Sequence, residues 1–179
     1  MMDLAHILAS EHSKASTETI VRWVGSSQPR FDNLFAHFCG KDARIAQVAG
    51  WPLGYCVEKH PELITPHWQQ LMRVGFGTGN HESVKRNTLR MLQYADIPES
   101  FHGQVMTICF DIITSPTEKP AAKAFALTVL DNLSKTYPEI SDELRLIIET
   151  QWASEKPAFR ARAKRFLNKK PGNNRPHHT

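Results

Sequence analysis

The sequence has little cysteine and no long apolar run. Of its 179 residues only three are cysteines, Cys39, Cys56 and Cys109, widely spaced and without a CxxC pair. An odd, scattered set argues against a disulfide framework, a zinc site or a redox couple. Each lies in an apolar stretch (LFAHFCG, LGYCV, MTICFDII), where a free cysteine behaves as a small buried hydrophobe. Unpaired thiols fit a reducing cytoplasm. No apolar stretch approaches the ~20 residues of a membrane span. The opening MMDLAHILASEHSK has no basic region before its short apolar patch and no cleavage site, so neither a membrane anchor nor a signal peptide is expected.

The signatures of common chemistry are missing too. Nine histidines are scattered, with no HExxH and no i, i+4 ligand pair, so no metal site is expected. Gly75, Gly77 and Gly79 in GFGTGNHE lack the GK[ST] ending of a phosphate loop and follow a helical pattern, not a strand; they suit a helix-to-helix turn. No GxSxG elbow and no Cys–His spacing supports a nucleophile. The chain is therefore expected to hold no cofactor and to catalyse nothing.

Charge is present but uneven. Residues 156–179 hold eight basic side chains and no acidic one, whereas residues 1–155 carry fourteen basic and eighteen acidic, a net of −4. A slightly acidic body with a basic end does not suit wrapping nucleic acid over the whole surface.

What the chain does have is repetition. WPLGYCVEKHPELI (51–64) aligns with TVLDNLSKTYPEIS (128–141), and RMLQYADIPES (90–100) falls between them. Leu53, Leu92, Leu130 and Leu167 form a column with spacings of 39, 38 and 37. Ile45, Val84, Ala122 and Phe159 form a second. Ala49, Thr88, Ala126 and Ala163 form a third of mostly small residues, as close helix approach requires. Ala46, Lys85, Lys123 and Arg160 form a fourth, basic in three of four copies. A period near 38 suits stacked helical hairpins.

The apolar spacing predicts helices over 13–24, 29–39, 42–59, 61–74, 83–95, 98–114, 119–136, 138–153 and 156–168, with a short amphipathic turn at 2–9 and no strand. Pro52 falls inside 42–59 and is expected to kink it. Residues 1–168 read as a single repeat domain, and 169–179 (KKPGNNRPHHT) as a flexible basic tail.

Paired helices at this period, with a basic residue early in the second helix of each pair (Lys85, Lys123, Arg160), resemble HEAT-like repeats of the armadillo superfold over about residues 13–168. The resemblance implies an all-α, right-handed α-α superhelix of about four helical hairpins. It also implies that second helices line a concave binding face. A helical wheel places Gln47, Trp51, Gly54 and Glu58 on that face. In later copies it places Arg86, Arg90 and Gln93; then Ala124, Thr128 and Asp131; then Ala161, Arg165 and Asn168. The expected function is a non-enzymatic cytoplasmic scaffold for a protein partner. The alternative is a nucleic-acid-binding module using the basic C-terminal end, or a HEAT-like DNA glycosylase acting on alkylated bases.

Overall fold

The computed structural model describes residues 3–10, 13–79 and 81–168; the expected tail at 169–179 lies outside them. Among the described residues every regular element is helical: α1 (Leu4–Ala9), α2 (Lys14–Val24), α3 (Gln28–Phe38), α4 (Ala43–Lys59), a 3-10 segment (Pro61–His67), α5 (Trp68–Phe76), α6 (Glu82–Leu92), α7 (Glu99–Thr114), α8 (Pro120–Leu133), α9 (Ile140–Gln151) and α10 (Pro157–Leu167). None of these helices is long and apolar enough to cross a membrane.

Helix starts follow local chemistry. Ser13 and Ser16 exchange hydrogen bonds in a capping box on α2 (3.1 and 3.0 Å), satisfying amides that lack a partner within the helix. Asp42 Oδ1 accepts from the Arg44 and Ile45 amides (2.9 and 3.1 Å). Prolines open α3, α8 and α10, where a missing N–H costs nothing.

Two prolines inside helical segments behave differently. α4 is continuous across Pro52, whose ring is buried. The helix expected over 61–74 is instead two pieces. Pro66 cannot donate one turn back and its ring crowds that carbonyl, so Pro61–His67 winds as 3-10 and the α-helix begins at Trp68.

The contacts gather into two compact units, residues 1–105 and 106–179. In the first, α4 is the hub, packed against α1, α2, α3, the 3-10 segment and α6, while α5 also packs on α6. Phe31, Leu34, Phe35 and Phe38 of α3 and Leu53, Cys56 and Val57 of α4 are buried in its core. In the second, α8 packs against α9 and α10, around Leu127, Leu130, Leu144, Ile148 and Phe159. Burial pushes the Cys39 thiol up to about 11 and Cys56 up to about 12, against opposing effects from Arg73 and Gln70 on the first and Lys59 on the second; it raises Cys109 too.

The repeat columns mark equivalent places. Ala49, Thr88, Ala126 and Ala163 are all fully buried. Leu53, Leu92 and Leu130 are buried as well; Leu167 is half-buried, and Phe166 beside it is buried instead. The one large member of the small column, Thr88, is accommodated by a glycine on the facing helix. A Cβ at Gly75 would lie 2.5 Å from Thr88 Cγ2 and Oγ1. Gly75 is thus inside α5, and the chain turns only after Phe76, with Gly79 at a left-handed φ of 82°.

α3 is tied to the 3-10 segment by a polar cluster. His67 Nε2 lies 2.6 Å from Asp32 Oδ1, Gln28 Nε2 donates to Asp32 Oδ1 (2.7 Å) and to the Leu63 carbonyl (2.9 Å), and the imidazole lies 4.4 Å from the Phe35 ring centre. Burial would raise the Asp32 carboxyl, but the Gln28 and His67 hydrogen bonds and the His67 charge outweigh it and hold it below its ordinary range.

Candidate partner-binding cleft

Trp51 and Tyr55 stand one turn apart on α4, and both remain more than a third exposed (40% and 37%). Large aromatic groups are normally withdrawn from water, so an exposed pair at this spacing is informative. Arg90 reaches over them from α6. Its guanidinium carbon lies 4.3 Å from the Tyr55 ring centre and 5.5 Å from that of Trp51, within cation–π range.

Gly54, between the two aromatic positions, makes this possible. A Cβ there would stand 3.1 Å from Arg90 Cδ and Nε, so a larger residue would require the arginine to give by a few tenths of an ångström. One turn earlier, Gly50 receives Asn87 in the same manner; a Cβ at position 50 would collide with the Asn87 side-chain amide. Asn87 Nδ2 also donates to the Gln47 carbonyl (3.4 Å). Among the described residues, no hydrogen-bond acceptor faces the Arg90 guanidinium.

The aromatic pair forms one wall of an open cleft of about 790 Å³ between α2 and α4. Lys14, Thr17, Glu18, Val21 and Arg22 supply the α2 side; Glu58 and Lys59 continue the α4 side. Lys14 and Glu18 pair loosely across the surface at 3.8 Å. The lining is mixed in charge over an apolar strip.

The residues singled out in the sequence divide into three groups. Trp51 and Arg90 come together, with exposed Gln47 and Glu58 a turn or two either side on α4 and half-buried Arg86 one turn before Arg90 on α6. Gln93 and Ala124 do not share this solvent face. α6 ends at Leu92, and Gln93 turns inward to donate to the Arg90 carbonyl (3.2 Å); Ala124 is 4% exposed within α8. In the second unit, Thr128, Asp131 and Arg165 border a groove of about 170 Å³, where Arg162 donates to the Thr128 hydroxyl (2.9 Å). Ala161 and Asn168 are exposed on α10.

Two members of the basic column, Lys123 and Arg160, make their contacts within the second unit. Lys123 is buried and paired with buried Glu155 (2.5 Å). Gln151, its amide nitrogen turned inward, donates to the same carboxylate (3.1 Å) and to the Ile113 carbonyl (2.8 Å). Arg160 donates to the Trp152 and Ala153 carbonyls (2.9 Å each) beyond the end of α9. Lys85 is half-buried on α6. Tyr55 and the α2 wall were absent from the sequence-based face. The i, i+4 spacing of Tyr55 from Trp51 across a glycine was the available signal.

A family model described as a HEAT repeat domain matches residues 4–170. The chain belongs to the HEAT repeat domain family. No curated protein and no solved structure gives a significant match. Within this HEAT repeat chain the cleft lies between α2 and α4, which pack directly on each other.

Proposed function

We propose that this chain is a non-catalytic HEAT repeat binding module that engages a protein partner through the cleft between α2 and α4, in a reducing compartment such as the cytoplasm. The supporting observation is the exposed Trp51–Tyr55 pair held under Arg90. Tryptophan, tyrosine and arginine are the side chains that most often dominate interface energies. The missing side chain at Gly54 leaves Arg90 room to pack beside them. The mixed charge of the walls suits a polypeptide, which carries both signs, better than a uniformly negative polymer.

Photo-crosslinking in cells tests this. A photoreactive residue replacing Glu58 is expected to trap a discrete protein adduct, while the same residue replacing exposed Leu146 does not. Equal labelling from both positions, or no protein adduct from position 58, would count against the proposal.

A second reading, nucleic-acid binding with recognition of a modified base, has its own support. Exposed rings serve as stacking platforms for bases, and Glu58 lies in the same cleft. It expects oligonucleotide affinity that falls steeply with salt and with Arg90→Glu or Arg165→Glu. The α10 basic run supports it less than its composition promises, because Arg160 and Arg162 are committed to the Trp152, Ala153 and Thr128 oxygens.

A further inference from the structure

Resting on the protein-partner reading, we propose that the cleft takes a short peptide segment carrying one acidic side chain beside a large apolar one, with the carboxylate on Arg90 and the apolar group against Trp51 and Tyr55. Three observations converge on this chemistry.

The first is the state of Arg90. Its guanidinium sits over two rings and its side chain packs against Gly54, yet no acceptor among the described residues uses its donors. The planar guanidinium offers a fork of N–H groups that matches the two oxygens of a carboxylate. Its ordering cost is already met within the fold, so less is lost on binding.

The second is charge. Lys14, Arg22 and Lys59 against Glu18 and Glu58 give the cleft lining a net +1, and Arg90, over the rings of its α4 wall, brings the group to +2. Residues 1–105 carry ten basic and ten acidic side chains, so the remainder of that unit is net −2. The cleft with Arg90 is net positive while the rest of the unit is net negative, which favours an acidic group there. Glu18 and Glu58 within the lining oppose a continuous phosphate backbone. They tolerate a single carboxylate seated on Arg90 and favour a basic side chain elsewhere in the same segment.

The third is size. The α4 wall from Trp51 to Lys59 spans eight residue steps, about 12 Å, and the α2 wall is similar. That accommodates roughly four extended residues or two turns of helix, a peptide epitope and not a second domain.

The experiment selects from a displayed library of random 12-residue peptides on the full chain, then titrates the best peptide by fluorescence anisotropy. Selected sequences are expected to share Asp or Glu within two residues of a large apolar side chain. Arg90→Gln should weaken binding about tenfold or more, while Arg165→Gln does not. A peptide whose acidic residue is changed to Lys should lose binding to the parent chain and regain it on Arg90→Glu; that rescue cannot come from misfolding.

Selection without acidic bias, or an affinity indifferent to Arg90→Gln, overturns the inference. So does a twelve-nucleotide oligothymidine that competes with the peptide in an Arg90-dependent manner. If a protein is trapped at position 58 but binds Arg90→Gln normally, the peptide chemistry fails and the protein-partner reading stands. If no protein is trapped there, the broader reading fails.

Discussion

At the scale of single residues, fit between neighbours matters more than residue type. Thr88 occupies a column otherwise filled by alanine, and its buried hydroxyl has no hydrogen-bond partner. Gly75 opposite provides its room. Gly75→Ala is expected to lower stability by about 1–3 kcal/mol through overpacking, and Gly75→Ala/Thr88→Ala to recover most of that loss, as read from urea midpoints. Independent effects of the two changes would contradict the pairing.

Asp32 makes a different kind of contribution. Its folded-state carboxyl lies below the ordinary value of 3.8, so ionised Asp32 stabilises the fold. That contribution is complete above pH 3.8 and disappears as pH falls through the lower folded-state value. Asp32→Asn should therefore be less stable than the parent chain at pH 6. The gap should narrow steadily below the ordinary carboxyl value. An acid-independent gap in urea midpoint would show that the His67–Asp32 contact acts through packing alone.

At the scale of elements, the helices and their period were legible because stacking imposes a repeating demand. A place where two helices touch closely needs a small residue every time, and Ala49, Ala126 and Ala163 announce it. Features that depend on a particular neighbour were not legible. Gly75 reads as a breaker until Thr88 is seen against it. Pro66 divides the segment 61–74, although the apolar spacing runs through it unbroken. The candidate site was half visible: Trp51 and Arg90 followed from the repeat alignment. Tyr55 and the α2 wall require knowing how two helices lie together, which one helical wheel does not contain. Pro66 is exposed at the 3-10 segment, so replacing it sacrifices little packing. Pro66→Ala is expected to lengthen α5 toward its N-terminus, raise helical circular dichroism and stabilise by about 1 kcal/mol. Unchanged ellipticity would place the cause of the 3-10 winding elsewhere.

At the scale of the whole molecule, the two compact units should answer separately to local damage, because repeat folds draw stability from near neighbours. The Lys123–Glu155 pair is 7% and 8% exposed. Glu155→Leu strands a buried ammonium and should cost roughly 3–5 kcal/mol, while Lys123→Met/Glu155→Leu restores most of it. Hydrogen exchange should place the Glu155→Leu loosening in α8 and α10, with the α3 and α4 amides unchanged; uniform acceleration along the chain would refute that localisation. The glycine notches carry a last consequence for anyone shuffling these hairpins. The α6 side chains seated at Gly50, Gly54 and Gly75 are Asn87, Arg90 and Thr88, and at the matching places α8 has Phe125, Thr128 and Ala126. Grafting α8 in place of α6 would force a phenylalanine into a socket cut for an amide and leave the other two underfilled. Alike in period, these hairpins have become individual parts, and a consensus sequence averaged over them would fit none of their seats.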